Sequence, residues 1–221
     1  MLKENLTEVF DKIKKGNNLG EKITLVGASK TMSVDVINQA VSFGLEVVAE
    51  NRVQEFNQKH EFIIGAKQHF IGHLQTNKVK YLVGKVDLIH SVDSVRLANA
   101  INERAEKLGV IQDVLIEINV GGELSKSGFT PENVKMEIEQ IHALPFVKIK
   151  GLMTMLPKSE DKIFLAALCK KTRDIFDELK NKGYDMQYLS MGMSNDYLIA
   201  IENGSNMIRL GRTIFGERGG K

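Results

Sequence analysis

The feature that most constrains this chain is a repeated alternation. Short apolar runs rich in β-branched residues recur along it, separated by stretches with helical period and punctuated by glycine, asparagine and serine. The runs are predicted as strands at 23–30, 45–49, 68–72, 86–90, 114–120, 149–155, 187–191 and 207–210. A strand that returns through a helix comes back parallel to its predecessor, so regular βα alternation means a parallel sheet. Eight such units in 221 residues predict an α/β fold, a closed (β/α)8 barrel of TIM type. An open doubly wound sheet is the alternative, weakened by the lack of a Gly-x-Gly-x-x-Gly after the first strand. Leu2, Leu6, Val9, Phe10 and Ile13 fall at helical spacing and predict an extra helix before the barrel. No linker or low-complexity stretch interrupts the chain, so 1–221 is expected to form a single domain.

Ser33 is expected to cap a helix that stops at Gly44. Further helices are expected over 53–64, briefly after Lys78, from Asp93 or Ser94 to Gly109, through Pro131 to 144, up to 181, and from Ser194 to 203. Lysine plus arginine exceed aspartate plus glutamate by a net charge of only +2, with no basic block, which argues against a nucleic-acid partner. Cys169 is the only cysteine, so no internal disulfide is possible, and helical placement reads it as packing. The N-terminus lacks a signal-peptide core, and no apolar run approaches the roughly 20 residues that span a bilayer. A soluble, cytoplasmic, monomeric protein is expected.

In barrels of this type the chemistry collects where the strands end. The first strand ends in Lys30. An apolar surround disfavours the ammonium form, and a neutral amine condenses with aldehydes and ketones. By position alone the commoner reading of Lys30 is a surface lysine in a βα loop. The other strand ends deliver Glu50, Asn51 and Arg52; His73, Gln75, Asn77 and Lys78; His90 and Ser91; Asn119 and the Lys126 loop. The seventh and eighth matter most. There Gly192-Met193-Ser194-Asn195 reads as the opening of a helix, whose free N–H groups and dipole suit a dianion. The Ser194 hydroxyl adds a donor, Gly211 admits a close backbone approach, and Arg209 is suited to a charge-assisted bond. Ser194 reads equally as a plain N-cap, and Arg209 as the partner of a core carboxylate. Met153, Met155, Met191 and Met193 read as filling for the barrel top, with Met193 taken as the one against a flat ring. His69 and His73 lie on a strand and turn rather than one helix face, so a zinc site is not expected. An amine facing a phosphate cradle fits a ligand with an aldehyde at one end and a phosphate at the other. Pyridoxal 5′-phosphate is one such ligand; the phosphosugar of an aldolase is another.

Several stretches, taken together and in order, carry a resemblance over nearly the whole chain. They are Val26-Gly27-Ala28-Ser29-Lys30, Glu50-Asn51-Arg52-Val53-Gln54-Glu55, His69-Phe70-Ile71-Gly72-His73-Leu74-Gln75-Thr76-Asn77-Lys78, Ser125-Lys126-Ser127-Gly128, Gly151-Leu152-Met153-Thr154-Met155, Ser190-Met191-Gly192-Met193-Ser194-Asn195-Asp196, Arg209-Leu210-Gly211 and Ile214-Phe215-Gly216-Glu217-Arg218. With them the chain resembles the pyridoxal-phosphate homeostasis proteins. The resemblance implies one barrel like the N-terminal domain of alanine racemase. It implies an internal aldimine on Lys30, phosphate contacts from Ser194, Arg209 and Gly211, and a place for Asn51 near the ring hydroxyl. It implies for Lys126 a part in cofactor loading or release. Arg212 departs from the resembled pattern, where a small hydroxyl residue is usual; it either adds charge to the phosphate site or points to solvent.

A racemase of this type takes its second acid/base from a further β-domain. This chain ends just after the eighth strand, so the expectation is a non-catalytic protein that holds, buffers and hands pyridoxal phosphate to apoenzymes. A pyridoxal-phosphate-dependent racemase or lyase is the alternative. A regulatory or interaction protein that uses the cofactor as a signal is a third reading.

Overall fold

A computed structural model describes residues 1–123 and 126–216; Ser125 of the loop motif and the polar tail 217–221, expected to be loose, lie outside them. The chain opens with α1 (Leu2–Ile13), then β1 (Thr24–Ala28), α2 (Val34–Ser42), β2 (Val47–Glu50) and α3 (Val53–Lys59). A 3-10 turn (His60–Phe62), β3 (Lys67–Phe70), a second 3-10 turn (Thr76–Tyr81), β4 (Leu88–Val92) and α4 (Val95–Leu108) follow. The second half runs β5 (Gln112–Ile118), α5 (Val134–His142), β6 (Val147–Thr154), α6 (Lys162–Asn181), β7 (Tyr188–Ser190), α7 (Tyr197–Glu202), β8 (Met207–Leu210) and α8 (Arg212–Phe215). Among the described residues each strand pairs in parallel with the next, and β8 pairs with β1 to close the barrel.

Register fixes what faces inward. Val26, Val47, Ala49, Leu88, Leu115, Met153 and Met207 come from six strands and pack into one cluster, which only the barrel interior allows. Partners in register share a face, so His69 beside Ala49, Glu117 beside Met153, Ser190 beside Met207 and Arg209 beside Val26 are inward too. The outward face of the sheet is covered by helices. α1 buries Leu6, Val9 and Ile13 against Ile37, Leu45, Ile208 and Ile214, and Asn5 Nδ2 donates to Ile214 O at 3.0 Å. That helix therefore braces the wall formed by β1 and β8.

Several expected boundaries move. The helix expected over 53–64 stops at Lys59 and tightens into a 3-10 turn. After β3 only 3-10 structure forms, because Thr76–Tyr81 buries a single side chain, Val79, and so lacks a stripe to pack. Pro131 precedes α5 rather than lying in its first turn; Asn133 is the N-cap. Ser194 does not begin a helix: residues 194–196 form a turn and Asp196 stands at the N-cap of α7. Among the described residues no helix is long and apolar enough to cross a membrane.

Gly72, just past β3, lies flat on the backbone of Asn51. A Cβ added there would stand 2.0 Å from the Asn51 carbonyl oxygen. Gly72→Ala is therefore expected to force the two loops apart and cost about 1–3 kcal/mol, measured by urea unfolding. An unchanged midpoint would contradict this packing.

Candidate functional site

The upper half of the barrel interior is polar. Arg209 is buried, and its guanidinium carries only donors. Nη1 donates to Ser190 O at 2.8 Å and Ser190 Oγ at 2.6 Å, and Nη2 donates to Thr154 O at 2.9 Å. Ser190 Oγ lies 3.2 Å from His90 Nδ1, and His90 Nε2 lies 3.0 Å from His69 Nδ1. The arrangement that uses every proton runs one way: Arg209 donates to Ser190, Ser190 to His90 Nδ1, and His90 Nε2–H to His69 Nδ1. Both imidazoles are then neutral. Burial agrees, holding His69 down to about 3 and His90 well below its usual value, with the Arg209 charge adding to the effect on His90. Arg209 itself is pushed down to about 10 by burial, against the pull of Glu117 and Asp196, and stays cationic at neutral pH.

Glu117 completes this layer from β5. It is buried, and burial followed by the Asp93 charge raises its carboxyl to about 7, with Arg209 and Lys126 opposing. Above it lies the rim. β1 ends at Ala28, short of the expected Lys30, and Lys30 lies half-buried in the turn that follows the strand. Gly27 is in register with Leu210, so the next residues up, Ala28 and Gly211, are neighbours; a Cβ on Gly211 would lie 3.6 Å from that of Ala28.

The turn after β7 is tied to the end of β8. Arg209 N donates to Gly192 O at 3.0 Å, Thr213 N approaches Ser194 Oγ at 3.4 Å, and Arg212 Nη2 donates to Asn195 Oδ1 at 2.9 Å. Met193 N donates to Asp196 Oδ1 at 2.6 Å, which holds the turn closed. The amides of Ser194, Asn195 and Arg212 have no hydrogen-bond partner among the described residues. Arg212 is thus exposed to solvent and at the same time bridges the two turns. Met193 is exposed on this rim and Met191 packs outside the barrel with the helices, whereas Met153 lies in the inner cluster and Met155 packs against it.

On the opposite side, Asn51 Oδ1 is buried with no hydrogen-bond partner among the described residues. Lys126 leans across the β6 loop, with Nζ donating to Met155 O at 3.3 Å and Leu156 O at 3.2 Å and paired with Glu123. His73 Nδ1 lies 3.3 Å from Asp93 Oδ2 and 3.2 Å from Ser127 Oγ. Cys169 is buried among the helices and its thiol is pushed up to about 12, so it packs and does not react. Sequence reasoning missed Glu117, Ser190 and the inward turn of His69 and His90. A carboxylate at an inward position of the apolar run Val114-Leu115-Ile116-Glu117-Ile118 was the available signal.

The family described as alanine racemase, N-terminal domain, matches residues 10–219. A pyridoxal phosphate homeostasis protein of Aquifex aeolicus (strain VF5) is 46% identical over 225 residues, covering 97% of this chain and 97% of that protein. One from Synechocystis sp. (strain ATCC 27184 / PCC 6803 / Kazusa) is 36% identical over 212 residues, covering 90% and 94%. Among solved structures, PipY of Synechococcus elongatus PCC7942 with PLP bound is 30% identical with a TM-score of 0.86, covering 98% of this chain and 100% of that one. Alanine racemase of Clostridium difficile 630 is 20% identical with a TM-score of 0.80, covering 99% of this chain and 57% of that one. At that identity the racemase shows the fold alone.

Glu117 generates a test. Between the ordinary carboxyl value of 4.5 and about 7, the folded protein keeps a proton that the unfolded chain releases, so raising the pH through this window removes stability. Glu117→Gln cannot ionise. Its unfolding free energy relative to wild type is expected to grow from pH 4.5 to above 7, by at most about 3 kcal/mol. Urea titrations across this range giving a constant difference would contradict the buried, proton-holding Glu117.

Proposed function

The chain belongs to the pyridoxal phosphate homeostasis protein family, and on that premise we propose that it binds pyridoxal 5′-phosphate at its barrel mouth, attaches it reversibly to Lys30 and gives it up again. One observation carries this reading: barrel closure brings Ala28, two residues before Lys30, beside Gly211 at the end of β8 and the turn tied to it. The fit to the cofactor is supported from two sides. Unpartnered amides at Ser194, Asn195 and Arg212 suit a phosphate, and the orphaned Asn51 Oδ1 suits a donor such as a ring hydroxyl.

When bound, the cofactor supplies an aldehyde carbon that an amine attacks reversibly with loss of water. Lys30 supplies the amine. Ser194 and the neighbouring amides grip the phosphate, and Gly211 leaves the space that a side chain would fill. The six-residue α7 adds little dipole, so the individual N–H groups matter more than the helix. Arg209 acts differently from the bidentate clamp expected of it. Its donors are engaged on Ser190 and Thr154, so it serves the dianion by its charge from below. Met193 flanks the ring, and Arg212 braces Asn195. Lys126, on the rim, is placed to meet the cofactor as it enters or leaves.

Holding rather than turnover is the reading adopted, with the whole chain acting as one cofactor-binding unit. Near full-length similarity to relatives named for homeostasis supports it. Recipient apoenzymes, a monomeric state and a cytoplasmic location belong to the same proposal.

Borohydride reduction of the protein with pyridoxal phosphate, followed by peptide mapping, tests the attachment. Label is expected on the peptide containing Lys30, and Lys30→Ala is expected to lose both that label and the visible absorption band. Label confined to other lysines would overturn the assignment. Racemisation or decarboxylation of an amino-acid panel at enzyme-like rates would overturn the carrier reading in favour of an enzyme.

A further inference from the structure

Lys30 sits between two residues that are held with unusual care. Thr31 has φ 68°, the only positive φ at a non-glycine residue among those described. A β-branched residue rarely adopts this left-handed conformation, because its Cβ crowds the following backbone. The Thr31 amide donates to Glu55 Oε2 at 2.8 Å, and the same oxygen accepts Lys59 Nζ at 2.9 Å. Lys59 also donates to Glu50 Oε1 at 2.9 Å and reaches Ser29 O at 3.5 Å. Ser29 Oγ lies 2.9 Å from Glu50 Oε1 and 3.1 Å from Ala49 O. One ion cluster on β2 and α3 therefore grips the backbone on both sides of Lys30.

Despite partial burial, pairing holds Glu55 below and Lys59 above its ordinary value, so these two stabilise the fold, but the same does not hold for Glu50. Removing charges from water offsets most of what their attraction returns. Glu50 is buried, its Oε2 has no hydrogen-bond partner among the described residues, and burial raises its carboxyl despite Lys59. A buried carboxylate beside a strained turn is better accounted for by what it holds in place.

We propose that Glu55, held by Lys59 and Glu50, is a positioning residue for Lys30: it keeps Thr31 left-handed, so that the chain turns away sharply and the Lys30 amine enters the mouth at one defined point. The inference rests on reading Lys30 as the attachment point. Glu55 touches no cofactor; it acts through the backbone.

The test measures the rate at which borohydride-fixed pyridoxal phosphate accumulates on Lys30, relative to all other lysines, at limiting cofactor. Urea unfolding of each apo variant serves as the control for folding. Glu55→Ala removes the acceptor for the Thr31 amide and is expected to slow Lys30 labelling by about tenfold or more, shifting label to other lysines. Adding Thr31→Gly is expected to recover most of the loss, since glycine takes this φ without help. Glu55→Gln keeps a carbonyl acceptor and is expected to lose less than Glu55→Ala. Lys59→Met leaves the Thr31 acceptor in place but frees Glu55 to move, so it is expected to give a smaller loss in the same direction. A purely structural role would lower the unfolding midpoint without redistributing label. Wild-type labelling rates in Glu55→Ala, or no recovery with Thr31→Gly, would overturn the clamp. If Glu55→Ala fails to fold, an unchanged label distribution in Lys59→Met overturns it equally. Wild-type label away from Lys30 would instead overturn the site assignment, and the clamp with it.

Discussion

The site depends on the closure of the barrel. Pairing of β1 with β8 sets Gly27 beside Leu210 and brings residues from opposite ends of the chain into one wall. Lys30 tops one of these strands; Gly211 and the turn of Ser194 top the other and its neighbour. No local contact in the sequence could bring the ends of β1, β7 and β8 together in this way. α1 braces the same wall from outside, burying Leu6, Val9 and Ile13 over the β1–β8 seam. In an open sheet the two halves of the site would lie at opposite edges.

Inside the barrel, the packing changes character along the axis. Val26, Val47, Leu88, Leu115 and Met207 fill the interior with branched and flexible apolar side chains. Toward the mouth the inward positions belong to His69, His90, Ser190, Glu117 and Arg209. A charge so deep is tolerable because two strand-end carbonyls and a hydroxyl satisfy it, and because the histidine chain passes on its donor without acquiring charge. The result is a rigid polar floor beneath the mouth. Solvent reaches the rim instead, where Met193 and Arg212 are exposed and Lys126 is partly so.

Much of this was legible before any coordinates. Buried parallel strands read as continuous apolar runs, so their number and order were clear, and with them the barrel; the family came from the ordered motifs at the strand ends. Strand ends were less clear, because an apolar residue just beyond the ladder looks the same as one within it; β5 starts at Gln112 and stops at Ile118 for this reason. Ser194 was mistaken for a helix start because Ser194, Asn195 and Asp196 all suit a cap, whereas the buried stripe begins only at Tyr197. Lys30, Gly211 and the 192–195 turn could be picked out from their place at strand ends. That Glu117, Ser190, His69 and His90 face inward together could not, since inward facing follows from register across strands. The cluster of Glu50, Glu55 and Lys59 likewise appears only once α3 is folded back on β2.

The account stands on a single spatial claim, that the Lys30 amine and the phosphate cradle open into the same space. A crystal structure of the protein grown with pyridoxal phosphate tests it most directly. The account predicts electron density continuous from Lys30 Nζ to the cofactor, with the phosphate against the backbone of 194–195 and 211–212. A cofactor seated elsewhere, or a phosphate lying away from those turns, would contradict it.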